Sequence, residues 1–203
     1  MRGIENQQIE NQQINKSKIF GWIVPLIFAA VCAVVLWLVF RDRICVVGGD
    51  NMSPTLHVGQ KVLIERGGTI GRGDIVLVGN PSAQKSDNQK PVFQRCFAMP
   101  GEKITRLRSD HLNGPAVLPS PGFKINLNYS NYLIYKDLAE QYEGVRMSWR
   151  DTVCIVNGKI ADTYTFRRGY VFLVNDRRAD HSDSRTLGPV PIDAICAKIK
   201  FVF

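Results

Sequence analysis

The chain has 203 residues, of which 45% are hydrophobic and 22% charged, and carries a formal net charge of +8. That length holds one good-sized domain plus an anchor and excludes two independent enzymes. Lys and Arg are scattered rather than gathered on a motif, which argues against nucleic acid as a partner; attraction to anionic lipid headgroups, about 1 kcal/mol per nearby cation, accounts better for the charge.

Residues 1–18 contain the tandem repeat Ile4-Glu5-Asn6-Gln7-Gln8 and Ile9-Glu10-Asn11-Gln12-Gln13. An Ile every fifth position fits neither a helical face nor a strand, so a disordered polar tail is expected. Residues 19–40 then run without a single charge. At about 1.5 Å per residue they match the roughly 30 Å hydrocarbon core, with Trp22 and Trp37 near the two ends where aromatic belts sit. The run is too long for a cleavable signal peptide and no small-x-small site follows it, so a permanent transmembrane anchor is expected over 19–40. Lys16 and Lys18 before it and Arg41 and Arg43 after it leave its orientation undecided by charge.

Residues 41–203 form the remaining domain, and most of it reads as strands. Residues 44–47, 61–64, 74–78 and 92–97 are short, β-branched or aromatic, and bounded by Gly, Pro or Asn. Residues 80–91 read as a polar loop. Residues 152–160 read as a hairpin, because Asn157-Gly158 suits a type I′ turn. Residues 169–174 and 197–203 are further strands, and only 132–142 has the length of a useful helix. The fold expected is therefore mainly β. Of the five cysteines, Cys32 lies in the apolar run. Cys45, Cys96, Cys154 and Cys196 have no metal-ligand spacing and sit in apolar contexts, so buried free thiols are expected rather than two disulfides, and neither a metal nor a cofactor is implied.

Three polar blocks punctuate these strands: Gly48-Gly49-Asp50-Asn51-Met52-Ser53-Pro54-Thr55-Leu56, then Gln94-Arg95-Cys96-Phe97-Ala98-Met99-Pro100-Gly101-Glu102, then Asn175-Asp176-Arg177-Arg178-Ala179-Asp180-His181-Ser182-Asp183-Ser184-Arg185. Arg72-Gly73-Asp74-Ile75-Val76 lies between the first two, and Gly188-x-Val190-Pro191 follows the third. In this order the blocks resemble type I signal peptidase, a family of membrane-bound serine proteases that use a Ser/Lys dyad. The resemblance covers nearly all of residues 19–203. It implies a β ectodomain on a single N-terminal transmembrane helix, with the large domain on the outer, periplasmic side of a bacterial inner membrane. It also implies signal peptides or preproteins as the class of molecule bound.

The family's first block reads Gly-Asp-Ser-Met-x-Pro-Thr-Leu, with Ser as nucleophile. Its second reads Lys-Arg-x-x-Gly/Ala-x-Pro-Gly-Asp, with Lys as general base. Here Asn51 stands at the nucleophile position and Gln94 at the base position. In the third block, His181 replaces a Ser that orients the Lys, Asn175 replaces the leading Gly, and Arg177 replaces an Asn. A carboxamide is no nucleophile for peptide hydrolysis and has no proton to exchange near biological pH. Losing a nucleophile and base that act as a unit costs roughly 10⁶ in rate. Asn51 and Gln94 are expected to bond each other and hold the emptied site together. Two rescues are conceivable: a Ser53/His181 dyad, if residues 51–53 are extended so that positions i and i+2 face the same way, or a replacement base at Lys90 or Lys103.

The resemblance further assigns Pro54, Asp176, Arg178, Asp183 and Arg185 to structure, the four charged residues as buried ion pairs. Gly49, Met52, Ser53, Phe93, Arg95 and Phe97 would line a peptide groove, its edges supplied by residues 48–53 and 92–97, with Met52, Phe97 and Met99 as an apolar rim near the bilayer. The reading that follows is an inactive, membrane-anchored binding or assembly factor for signal-peptide-bearing or pilin-like chains, or a partner of an active paralogue or of pilus or secretion components. The alternative is an active signal peptidase working through a non-standard dyad.

Overall fold

The computed structural model describes residues 23–37, 43–79, 91–104 and 116–203. Two compact units divide between Ile44 and Cys45. In the first, residues 23–37 form helix α1, whose apolar side chains, among them Leu26, Phe28 and Val34, are exposed. No described helix is long and apolar enough to cross a membrane; the ends of the expected span, Trp22 included, lie outside the described residues, as do the tail and Lys90.

The second unit is built on antiparallel pairing. In chain order it contains β1 (Ile44–Val46), β2 (Lys61–Glu65), β3 (Ile75–Val78), β4 (Val92–Ala98), β5 (Lys103–Ile104), β6 (Ala116–Val117) and β7 (Lys124–Asn126). Helix α2 (Tyr129–Glu143) follows, then β8 (Met147–Arg150), β9 (Val153–Val156), β10 (Lys159–Ile160), β11 (Thr163–Thr165), β12 (Tyr170–Val174), the short helix α3 (Ser184–Leu187), β13 (Val190–Pro191) and β14 (Ile195–Val202). The main sheet runs β1-β2-β14-β3-β4-β12-β13. Every strand expected from the sequence is present. The Asn157-Gly158 hairpin joins β9 to β10 with φ of 49° and 80° at the two turn residues, the left-handed pair that a type I′ turn requires.

Four short strands, β5, β6, β7 and β11, carry no sequence signal of their own. They exist because register pairs Lys103 with Val117 and Tyr164 with Ile125. Helix α2 starts three residues before its expected place because Asn128 caps it, accepting from the Asn131 N–H, and it stops at Gly144 with φ 67°. Its inner face packs Tyr135, Leu138, Ala139 and Tyr142 on Phe166 and Tyr170. One carboxylate sits in that core: Glu143 accepts from the Tyr170 hydroxyl at 3.0 Å, from the Arg167 guanidinium at 3.0 Å and from the Arg167 and Arg168 backbone N–H groups.

Strand β12 is buried at every position, which explains its unbroken apolar run. Strand β4 lies between β3 and β12, so the second half of Val92–Ala98 is interior to the sheet. Its pairing with β12 covers Arg95, Cys96 and Ala98 only. The first half of β4 is thus unpaired by β12, and there the candidate site lies.

Candidate active-site cleft

Residues 50–56 form successive turns rather than a strand: the Ser53 N–H donates to the Asp50 carbonyl at 3.0 Å and the Leu56 N–H to the Met52 carbonyl at 2.9 Å. Two expectations fall with that geometry. Ser53 does not share a face with Asn51 by strand alternation, so the premise of a Ser53/His181 dyad is absent. Met52 does not reach a groove rim. It is fully buried with Leu56, Val62 and Phe93, because an i, i+4 pair on a helical turn shares one face, and the 52/56 spacing was the legible sign of it. Pro54 follows a cis peptide bond in the same turn. Of the other expected rim residues, Met99 is half-buried and Phe97 is exposed, its ring under the Arg72 guanidinium at 5.4 Å.

Asn51 is delivered by this turn to the unpaired half of β4. Its Nδ2 donates to the Phe93 carbonyl at 2.5 Å and to Asn175 Oδ1 at 3.2 Å. Gln94, 6% exposed, donates from Nε2 to the same Asn175 Oδ1 at 3.1 Å and to the Ser182 carbonyl at 3.3 Å. The bond expected between Asn51 and Gln94 is therefore replaced by a bridge. Both residues present N–H donors, and the Asn175 carboxamide oxygen, with two lone pairs, serves both. Asn175 is itself held by its backbone N–H, which donates to Asp183 Oδ2 at 2.8 Å. Sequence reasoning marked Asn175 only as a departure at the head of its block; its bridging role was missed. His181 is exposed and takes no part in this network. Lys103 is exposed on β5.

Ion pairs frame the amides. Arg95 donates to Asp176 through Nε at 2.8 Å and Nη2 at 2.6 Å, and to the Gly73 carbonyl at 2.8 Å. The Thr55 hydroxyl completes the set, donating to Asp176 at 2.6 Å. Asp176 thus takes Arg95 as its partner, not Arg178, which is exposed and offers its carbonyl to Arg185. Asp183, buried, pairs with the half-buried Arg185 at 2.7 Å. Arg177 pairs with Asp50, and its backbone N–H donates to the Asn51 carbonyl at 3.0 Å. Gly49 sits against this cradle: a Cβ there would lie 3.1 Å from Asn51 Oδ1.

Two hydroxyls at the cleft donate to carboxylates, Thr55 to Asp176 and Ser182 to Asp180. Neither carboxylate is a useful base. The Arg95 guanidinium holds the Asp176 carboxyl below its usual range, and the Ser182 hydroxyl and N–H hold Asp180 down. Among the described residues no hydroxyl of the cleft bonds to an amine or imidazole, and no cluster of His, Cys, Asp and Glu could hold a metal ion.

An antiparallel β domain that brings a turn, a central strand and a polar loop together at one site fits the peptidase family that the three sequence blocks resemble. The chain belongs to that family: the family described as "Signal peptidase, peptidase S26" matches residues 19–203. The chain is similar to Signal peptidase I of Bacillus licheniformis, 23% identical over 96% of this chain and 93% of the relative. It is also similar to Signal peptidase I T of Bacillus subtilis (strain 168), 26% identical over 86% and 82%. Signal peptidase IB of Staphylococcus aureus (strain COL) is 24% identical over 93% and 91%.

Proposed function

We propose that this member of the signal peptidase family does not hydrolyse peptides and works as a membrane-anchored binding or assembly factor for signal-peptide-bearing or pilin-like chains. The observation that carries the reading is the pair Asn51 and Gln94, both committed as donors to Asn175 where a hydroxyl and an amine would have to meet. The scaffold around them is intact, with the Arg95–Asp176 and Arg185–Asp183 pairs in place. Recognition of an extended peptide rests on backbone groups and pockets rather than on a nucleophile, so binding outlives the loss of chemistry.

Anchoring through residues 19–40, with the large domain on the outer face of a bacterial inner membrane, completes the proposal. Helix α1 exposes its apolar side chains, as a lipid-facing segment does. Phe201 at 64% exposure and Phe203 at 69% add apolar surface at the end of β14 that suits a bilayer.

The test is reconstitution of the full chain in lipid with a preprotein carrying a crosslinker in its signal peptide. Crosslinking without a cleaved product is the expected result. Cleavage by the unmodified chain, abolished by Ser53→Ala, would establish the alternative of an active peptidase.

A further inference from the structure

We infer that Asn175 is the positioning residue that locks the cleft in its carboxamide form, so that a Ser and a Lys returned to positions 51 and 94 do not make a dyad while the Asn175 side chain is present. The inference rests on the proposed loss of hydrolysis. A working dyad needs the hydroxyl oxygen within about 2.6–3.2 Å of a neutral amine. Here Gln94 Nε2, one bond short of where a lysine amine would end, already lies 3.1 Å from Asn175 Oδ1, the oxygen that also lies 3.2 Å from Asn51 Nδ2. The Asn175 carboxamide thus takes up room that a longer lysine side chain at 94 needs.

An ammonium at the end of residue 94, one bond beyond Gln94 Nε2, has two carbonyl oxygens within reach, Asn175 Oδ1 and the Ser182 carbonyl, the acceptors that Gln94 Nε2 now uses. Hydrogen bonds to the charged form favour it, so the lysine stays protonated and cannot act as base. The neighbouring charges do not reverse this. Asp183 is neutralised by Arg185, Asp176 by Arg95 and Asp50 by Arg177, and β3 presents the apolar Val76 opposite residue 94.

Removing the side chain at 175 deletes one of the two acceptors in a buried site and frees the room beyond Gln94 Nε2 for the longer lysine. Burial then pushes the lysine towards its neutral form. The hydroxyl oxygen could attack the scissile carbonyl carbon as the amine takes its proton. The amine would pass that proton to the leaving nitrogen, and water would then cleave the acyl ester. Asn175→Gly keeps the backbone N–H that donates to Asp183.

The experiment compares full-length Asn51→Ser/Gln94→Lys with Asn51→Ser/Gln94→Lys/Asn175→Gly in lipid nanodiscs, each checked for cooperative unfolding. The introduced lysine is titrated by nitrogen-labelled lysine NMR, and a preprotein is offered across the same pH range. The lysine is expected to titrate lower by about one unit or more when Asn175 is Gly, and the cut product to appear only in that variant. Equal lysine titration in the two variants, or equal cleavage by both, overturns the inference. A lower titration without cleavage supports the role of Asn175 and counts against the peptide groove, which separates this inference from the proposed function.

Discussion

Arg95 grips Asp176 with two parallel prongs, 2.8 and 2.6 Å long, and so ties the interior strand β4 to the polar loop that follows β12. The Arg95 guanidinium is the largest influence holding the Asp176 carboxyl below its usual range; burial opposes it and Thr55 assists. A depressed carboxyl contributes stability that is present above the unfolded value of about 3.9 and is lost as pH falls towards the folded one. Unfolding midpoints between neutral pH and about pH 3 should fall less steeply for Asp176→Asn than for the native chain. An identical acid limb would contradict the pairing. Because the pair is partly exposed, 31% and 15% at the two side chains, the loss at neutral pH should be modest, about 1–2 kcal/mol.

Met52 tests core against groove. It is fully buried among Val47, Leu56, Val62 and Phe93, so Met52→Ala should cost about 2–5 kcal/mol in denaturant unfolding. At temperatures where the variant remains folded, preprotein crosslinking should be unchanged. Weakened crosslinking with unchanged stability would return Met52 to the groove.

Glu143, at the end of helix α2, carries a second acid-sensitive contact. Burial pushes its carboxyl up, but the Arg167 guanidinium, the Tyr170 hydroxyl and the backbone N–H groups of Arg167 and Arg168 together hold it below the usual range. Its contribution is likewise present at neutral pH and lost on acidification. Tyr170→Phe removes one donor of several and should cost about 1 kcal/mol. Glu143→Ala strips the acceptor from all of them and should cost several-fold more by thermal or chemical unfolding.

Thiol reactivity should divide the cysteines. Burial, helped by Asp74 and Glu102, pushes the Cys96 thiol up to about 11, and burial raises Cys154 as well. Cys45 is half-buried and Cys196 is exposed, so the expectation of burial holds for two of these four. Maleimide at neutral pH should modify Cys196 first, and Cys96 and Cys154 only on unfolding, as read by mass spectrometry of the digested chain.

The β architecture was legible because β-branched runs between Gly, Pro and Asn leave little choice, and Asn157-Gly158 fixed its turn on its own. The short strands β5, β6, β7 and β11 were not legible, since two- and three-residue strands exist only through their partners. Asn51 and Gln94 could be read as a lost dyad from block order alone. Asn175 could not, because its role depends on a distance across the fold rather than on a position in a motif. Met52 was misassigned by treating a turn as a strand, although its i, i+4 relation to Leu56 was in view.

One acceptor shared by two donors makes Asn175 the keystone of the site. Changing Asn51 leaves Gln94 both of its acceptors, and changing Gln94 leaves Asn51 both of its own; only a change at Asn175 takes an acceptor from each. A hub of this kind concentrates the coupling on one residue, so substitutions at 51 and 94 should be felt by each other chiefly through position 175.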